Sequence, residues 1–284
     1  MAEFSFINSR GDILDLSDNG MFWLTNIDGQ TRAVSEISSM SNGFMDGDIV
    51  NNIKAAPRTI ILDLTIKNEV SVELAKRSIL QVIKPKQTGI LKWNQEGREL
   101  QIEAHVESIE MPRWQQGIIL QITLHCAQPF WEDVNNVQME ISDIIDTHYF
   151  TENKNDMLYF PEAGISFGYY DLARTRNIEN LGDVAVGFVC EVIAYGEVIN
   201  PVLLNSNGDF MRVNTTLSAN DVLRIDTTRG KKSISKNGEN IINLLDAGSK
   251  WLQLETGYNE LTIDSADGAV NNMYFLITYK QRYV

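Results

Sequence analysis

The sequence predicts a mainly β protein of two domains, an N-terminal β domain with one helix and a C-terminal β-sandwich of jelly-roll type. Three observations predict this fold class. The chain has 284 residues, more than the roughly 100–200 residues of a typical domain. Apolar and polar residues alternate along segments of both halves, as in half-buried strands. Asn-Gly and Asp-Gly pairs, which form tight turns, separate the short segments of the second half.

In the first half the pattern predicts three strands and one helix. The strands cover residues 58–67, 99–107 and 118–126, and Pro112 and Gln116-Gly117 supply a bend and a turn between the last two. The helix is indicated by apolar residues at helical spacing, an available N-cap and a terminating proline: Val72, Ala75, Ile79, Val82 or Ile83, Ser71 and Pro85.

Residues 134–177 are predicted to connect the domains, because clean alternation is lost there and Asp, Asn and Glu are frequent. The domains are therefore placed at residues 1–133 and 178–284. Short strands are predicted in the second domain at residues 188–194, 198–204, 210–213, 222–225, 233–235, 251–254, 260–263 and 273–279. Closely spaced short strands with turns between them are typical of a sandwich.

Composition and charge exclude several classes of protein. Hydrophobic residues make up 43% of the chain and charged residues 22%, as in a globular protein rather than a disordered one. The net charge is −14, with −9 in residues 1–150 and −5 in residues 151–284. Neither half has the excess of Lys and Arg that nucleic-acid binding needs. Neither a signal peptide nor a membrane segment is predicted, so we expect synthesis in a cytoplasm.

Both halves also carry ordered motifs. The first half contains Phe4-x-Phe6-Ile7-Asn8-Ser9-Arg10-Gly11, Asp46-Gly47-Asp48 and Arg58-x-Ile60-x-Leu62. The second contains Asn180-x-Gly182-Asp183, Asn200-Pro201, Leu223-x-Ile225-Asp226, Asn237-Gly238, Leu244-Leu245-Asp246, Trp251-x-x-Leu254 and Gly257-x-Asn259. In this order and spacing the motifs resemble the phage distal tail protein family over nearly the whole chain.

The resemblance implies a ring-forming, tail-tube-like N-terminal domain followed by a galectin-like sandwich. In that family six copies form a hub of the virion tail tip or baseplate. The implied partners are further copies of the chain in a homo-hexamer, the tail tube protein, a tail-tip or tail-associated lysin-type protein, and receptor-binding proteins. The resemblance also implies that DNA passes through the ring without specific binding. The implied site of synthesis is the bacterial host cytoplasm.

Glu99, Glu103 and Glu107 form the densest one-sided acidic strand of the ring-forming half. Together with His105 they could be interpreted as an acid/base cluster, but a strand face alone supplies no cleft for catalysis. A solvated sheet face is the plainer interpretation. Since an acidic wall would repel the phosphate backbone, we hypothesise that these three residues line the channel.

The sequence predicts no enzyme, cofactor or metal site. His105, His125 and His148 lack the spacing of metal ligands, and no nucleophile, base and orienting group occur together. Cys126 and Cys190 lie in strand-like apolar runs and are predicted to be reduced core residues.

Trp251, Tyr258 and Tyr195, with Tyr274, are candidates for contact with a sugar or a protein. Aromatic faces offer rigid apolar area beside polar groups, and exposed aromatic residues also serve protein interfaces. The alternative to a structural hub is therefore a carbohydrate-binding or adhesion module that recognises host cell-wall polysaccharide.

Overall fold

A computed structural model gives the structure of the chain and describes residues 3–31, 34–41, 43, 46–67, 70–95, 97–111, 119–141, 143–145, 169–171 and 174–284. The chain divides into two compact units: unit 1 is Met1–Val134 with Arg282–Val284, and unit 2 is Asn135–Gln281. Each unit has its own hydrophobic core. The mainly β fold class predicted from the sequence is confirmed.

Unit 1 is built mainly from one antiparallel sheet. Its described elements are β1 (Glu3–Asn8), β2 (Ile13–Asp15), β3 (Phe22–Asp28), β4 (Ser35–Ser41), β5 (Asp48–Ala55), β6 (Arg58–Ile66), α1 (Val72–Val82), β7 (Thr88–Gln95), β8 (Arg98–Glu110), β9 (Ile119–Cys126) and β10 (Trp131–Asp133). The main sheet has the order β2-β1-β7-β8-β9-β6-β3. Strands β2 and β3 therefore lie at its opposite edges.

Helix α1 packs on the core of unit 1 through one face, as its sequence predicts. Ala75 and Ile79 are fully buried and Val82 nearly so. Ser71 occupies the N-cap position in extended conformation, but its side chain makes no capping hydrogen bond. The helix ends at Val82, three residues before the terminating Pro85. Among the described residues, no helix has the length and hydrophobicity to cross a membrane.

Between β3 and β6 the chain forms a separate two-stranded hairpin, β4–β5. Its base is held by the carbonyl oxygen of Gln30, which accepts hydrogen bonds from Arg58 Nη1 at 2.5 Å and from Trp131 Nε1 at 2.9 Å. Both donors belong to residues that are almost completely buried. The hairpin therefore extends from a fixed point of the core.

Unit 2 is a sandwich of two antiparallel sheets. Its described elements are β11 (Val137–Ile141), β12 (Asp143–Ile145), β13 (Tyr169–Asp171), β14 (Thr175–Asn180), β15 (Phe188–Ala194), β16 (Val198–Ile199), β17 (Pro201–Asn205), β18 (Phe210–Arg212), β19 (Thr216–Leu217), β20 (Val222–Asp226), β21 (Ser233–Lys236), β22 (Glu239–Asn240), β23 (Gly257–Ser265) and β24 (Met273–Tyr279), with 3-10 helices at Ile242–Leu244 and Val270–Asn272.

One sheet of unit 2 has the order β11-β24-β15-β20-β21-β22, and the other has the order β14-β23-β17-β18. Alternate residues of both sheets share one core cluster, which includes Cys190, Phe188, Leu203, Ile263 and Phe275. The turn at Asn237-Gly238 has positive φ at both residues, 51° and 86°, as a tight hairpin turn requires. A last strand, β25 (Arg282–Tyr283), pairs with β10 and so belongs to unit 1.

Two local expectations differ from the structure. The predicted strand at residues 251–254 is wrong, because this segment makes only an isolated bridge, between Leu254 and Val186. The predicted strand at residues 198–204 is broken at Asn200, whose φ of 50° lies in the left-handed region. In addition, β11 lies in the range assigned to a connection. Its alternating residues Val137, Met139 and Ile141 pack on the sandwich core.

Candidate functional site

The acidic strand face consists of Glu99, Glu103 and Glu107 on the outward side of β8. All three side chains are exposed, while Leu100, Ile102, Ala104 and Val106 between them are buried. The pairing of β8 with β9 shifts register between Val106 and Ser108. Glu107 is therefore the extra residue of a β-bulge, which bends the strand at one end of the acidic face.

The neighbours of this face add little positive charge. Glu99 lines an open depression of about 280 Å³ with Glu3, Asp15 and Lys92. Glu103 lies opposite Ile90 on β7. Within the described part of unit 1, none of the three carboxylates forms an ion pair. The face is thus available to repel a polyanion.

His105, beside the acidic strand face, contacts a threonine and another histidine. His105 Nδ1 lies 3.0 Å from Thr88 Oγ1, and His105 pairs with His125 across β8 and β9. No described cluster of His, Cys, Asp and Glu side chains could hold a metal ion. His148 lies outside the described residues.

Both cysteines are free and buried, as predicted. Burial raises the pKa of the Cys126 thiol to about 12, and the nearby Arg58 only partly opposes this. Burial also raises the pKa of Cys190 well above its usual value. Both thiols therefore stay protonated at neutral pH and are poor nucleophiles.

The four candidate aromatic residues separate into two pairs. Trp251 and Tyr258 line one groove of unit 2. Tyr195 follows the end of β15 and lies close enough to Tyr274 to interact with it electrostatically. Burial, and then a hydrogen bond to Glu140, raise the pKa of Tyr274 to about 12. Trp251 instead contacts Lys232, in the turn beside the beginning of β15. A single platform of four aromatic residues is therefore not formed.

We call the groove lined by Trp251 and Tyr258 the Tyr258 groove. It has a volume of about 400 Å³, and three chain segments line it: the β17–β18 turn, residues 250–255 and the beginning of β23. Its lining residues are Asn205, Ser206, Asn207, Asp209, Lys250, Trp251, Leu252, Gln253, Glu255, Tyr258, Asn259, Glu260 and Leu261. Most of these side chains are polar.

The β4–β5 hairpin is a feature that sequence reasoning missed. All its side chains in the two strands are exposed. They include Ile37 and Ile53, which face each other across the hairpin and are 59% and 62% exposed, and Met40 opposite Ile49. The pair Asp46-Gly47, flanked by these apolar residues, could have identified the turn, and Gly47 has the positive φ of a turn residue.

A second apolar surface lies at the other edge of the sheet of unit 1. Strand β2 exposes Ile13, and α1, which lies against β2, exposes Leu74 and Leu80 on the two flanks of its buried face. The two surfaces differ in charge. The hairpin carries exposed Asp46 and Asp48 beside its turn in addition to the paired Glu36 and Lys54. Helix α1 and the loop after it expose four cations and one carboxylate, Glu73, which pairs with Arg77; the other cations are Lys76, Lys84 and Lys86.

Comparison with known proteins gives a family for the second half of the chain. A family described as "Siphovirus-type tail component, C-terminal domain" matches residues 181–283. This range falls almost entirely within unit 2 and covers about a third of the chain. Comparison with curated proteins yields no significant match.

Solved structures extend the likeness to both units. The Dit (gp 19.1) protein of SPP1, described as a paradigm of the hub adsorption apparatus in phages infecting Gram-positive bacteria, has a TM-score of 0.70 and 12% identity, with 99% of each chain covered. A chain of the phage P2 baseplate, activated with Ca, has a TM-score of 0.48 and 12% identity over 98% of each chain.

The sequence match covers the motifs of the second half from Gly182 onward, and the shared fold extends to the first half. The resemblance to the phage distal tail protein family is therefore confirmed, by a siphovirus-type tail component domain at residues 181–283 and by a fold shared with the SPP1 Dit protein over nearly the whole chain.

Proposed function

We propose that this chain is a structural hub of a phage or phage-like tail tip or baseplate, in which six copies close a ring. The tail component family of residues 181–283 supports a place in the virion tail. The likeness to SPP1 Dit, a protein described as a hub of the adsorption apparatus, supports the position at the tip. The observation that carries the ring is the presence of two different apolar surfaces at opposite edges of unit 1.

An isolated two-stranded hairpin is only marginally stable in water. The β4–β5 hairpin makes no ladder with any other described strand, and both of its outer edges are open. Its exposed Ile37 and Ile53 form an apolar surface on one face, of the kind that marks an interface, and Met40 and Ile49 form a second apolar pair on the opposite face. Another chain that covers this surface would stabilise the hairpin and pair its free edges.

The partner that fits is a second copy of unit 1. Identical subunits form a ring when one surface of each copy binds a different surface of the next. The hairpin with its acidic Asp46 and Asp48 complements the outward face of α1, which exposes Leu74 and Leu80 on either side of the Glu73–Arg77 ion pair and is followed by the exposed Lys84 and Lys86. Each copy offers both surfaces, so the contact repeats from one copy to the next.

This arrangement assigns ring formation to residues 1–133. The ring would join the tail tube protein to a tail-tip or tail-associated lysin-type protein, while residues 178–284 face receptor-binding proteins. The protein is then a structural component and not an enzyme, made in the host cytoplasm and located at the virion tail tip. The contact of His105 with Thr88, rather than with a nucleophile, and the protonated, buried thiols support a role without catalysis.

The acidic strand face suits the wall of the enclosed channel. Glu99, Glu103 and Glu107 are exposed on one side of β8 and carry no neutralising ion pair within the described part of unit 1. DNA passing through such a channel would be repelled by its wall and would not be retained.

Light scattering of the full chain, alone and with the tail tube protein, tests the proposal. A mass of several copies is expected, and it should depend on the hairpin. If the full chain stays monomeric over a wide range of concentration in both conditions, the ring-forming hub is excluded.

A further inference from the structure

The Tyr258 groove has the size and rigidity of a binding site. Small-molecule sites typically enclose roughly 300–1,000 Å³, and this groove has about 400 Å³. Its lining comes from two distant stretches of sequence, residues 205–209 and 250–261, which meet at one end of the sheet β14-β23-β17-β18. It is therefore a product of the sandwich fold rather than of one loop.

The rim of the groove is held by side-chain hydrogen bonds to the backbone. Asn259 Nδ2 donates to the carbonyl oxygens of Glu255 at 2.7 Å and Gly257 at 2.9 Å, and its Oδ1 accepts from the Glu255 N–H at 2.7 Å. On the other side Asn205 Oδ1 accepts from the N–H groups of Asn207 and Asp209 at 3.1 and 2.9 Å. Little ordering entropy is then lost when a ligand binds.

Tyr258 is the dominant exposed surface of the groove, with 79% of the residue accessible. It projects from the outward face of β23, while Leu261 and Ile263 of the same strand point into the core. Trp251 contributes a second ring, which packs partly on the core and has Lys232 Nζ 5.2 Å from its centre. Such rings offer rigid apolar area at small entropic cost.

The remaining lining favours a ligand with many hydroxyl groups. The amide side chains of Asn207 and Gln253 can each donate and accept hydrogen bonds, Asn205 can donate through Nδ2, and the carboxylates of Glu255 and Glu260 accept them. A protein interface would instead need a core depleted of charge and a buried area above roughly 1,000 Å². The small polar groove is better suited to a sugar than to a protein.

Charge decides between neutral and anionic sugars. Lys250 Nζ is paired with Asp209 Oδ1 at 2.5 Å, which leaves the two carboxylates of Glu255 and Glu260 in the lining against the single ammonium group of Lys232 beside Trp251. Polymers rich in phosphate or carboxylate would be repelled. Since no described cluster of side chains could hold a metal ion, no bridging cation is expected to reverse this preference.

We propose that the Tyr258 groove binds a neutral saccharide of a cell surface, with Tyr258 and Trp251 against the apolar faces of the sugar rings and the amide and carboxylate groups on their hydroxyls. This site gives the chain a recognition role of its own in addition to the hub role. It does not depend on ring formation, because every contributing residue lies in unit 2 of a single chain.

The test is an array of neutral oligosaccharides, including glucans, galactans, rhamnans and N-acetylglucosamine oligomers, with teichoic acids as the anionic comparison. The full chain should bind one or more neutral glycans, and a chelator should not change the binding. For the best glycan, Tyr258→Ala should raise the Kd roughly tenfold or more, which is the scale expected when an aromatic anchor is lost. Trp251→Phe, which keeps an aromatic ring, should retain most of the affinity.

Tyr195→Ala is the matched control, since Tyr195 is 65% exposed and lies away from the groove. It should bind the glycan as the wild type does. Tyr258 is largely exposed, so Tyr258→Ala should keep the wild-type Tm, and its loss of binding then reports the groove. The proposal is overturned if no neutral glycan binds, if only teichoic acid binds, if Tyr258→Ala binds normally, or if Tyr195→Ala is equally weakened.

Discussion

Replacing Ile37 and Ile53 by serine removes the central apolar pair of the β4–β5 hairpin. The two side chains face each other across the hairpin and are 59% and 62% exposed in the single chain. Serine fits the same strands without a change in backbone conformation. The double variant should therefore fold like the wild type and differ only in how strongly copies bind each other.

The expected loss follows from the exposed fractions. Full burial of an Ile side chain is worth about 1.5–3 kcal/mol, so covering the exposed part of each contributes about 1–2 kcal/mol. Both together account for about 2–4 kcal/mol per interface, which corresponds to a roughly 30-fold to 1,000-fold increase in the Kd between copies. The free energy of unfolding of the single chain should change by less than about 0.5 kcal/mol.

Sedimentation velocity over a concentration series measures the Kd directly, and chemical unfolding at low concentration measures the fold. Leu181→Ser is the control, because Leu181 is 64% exposed but lies in unit 2. It should assemble like the wild type. The reasoning is refuted if Ile37→Ser with Ile53→Ser assembles normally, or if Leu181→Ser weakens assembly by a similar factor.

Three further predictions follow from the two units. Glu99→Lys with Glu103→Lys and Glu107→Lys should leave assembly largely intact but cause DNA retention that weakens as salt rises, whereas the same charge change at exposed Glu197, Glu239 and Asp264 should not. If the triple variant assembles but retains no DNA at low salt, β8 lies away from the channel. A fragment of residues 178–284 should unfold cooperatively in urea, but at least about 1.5 kcal/mol less stably than residues 135–284, because it lacks β11 and the fully buried Ile141. Equal midpoints would contradict this role of β11. A backbone hydrogen bond from Ser218, then hydrogen bonds from Asn237 and Lys236, lower the pKa of Asp221 to about 2. A lowered carboxyl pKa stabilises the fold above the unfolded value of 3.8 and loses this effect as pH falls toward 2. By calorimetry, Asp221→Asn should therefore have a lower Tm than the wild type at pH 7, with a gap that closes over that acidic range. A constant gap would show that Asp221 acts through something other than its charge.

Periodicity predicted the elements whose residues are buried on one face. Strand β6 and helix α1 were predicted because their apolar residues recur at strand or helix spacing, and these residues, such as Leu62 in β6 and Ile79 in α1, are buried in the core. The β4–β5 hairpin could not be found in this way, because both of its faces are exposed and carry apolar as well as polar residues. Its apolar residues have no core of their own chain to cover.

Long-range contacts limited the prediction of the groove. The sequence identified Trp251, Tyr258 and Tyr195 as candidates for contact with a sugar or a protein. It could not group them, because only the pairing of β15 with β20 and β24 places Tyr195 away from the other two. The Asn259 contacts that hold the rim span only a few residues. These contacts can be recognised as part of a groove only when the fold places the β17–β18 turn beside them.

The predicted boundaries at residues 133 and 178 stay a prediction. The described contacts place Asn135 at the start of unit 2 and assign the last residues, Arg282–Val284, to unit 1. The assignment of these last residues to unit 1 depends on two residues of β25 that pair with β10, and an ion pair between Arg282 and Glu132 at 2.6 Å supports the pairing. A strand so short has no period that sequence reasoning could detect.

Native mass spectrometry of the full chain at assembly concentration tests the central claim most directly. A hub built from two complementary surfaces on each copy should give one discrete closed species of six chains, without a series of larger oligomers. Ile37→Ser with Ile53→Ser should shift this species toward single chains. A spectrum of single chains at every concentration, with or without the tail tube protein, or a ladder of open oligomers without a closed species, would contradict the account.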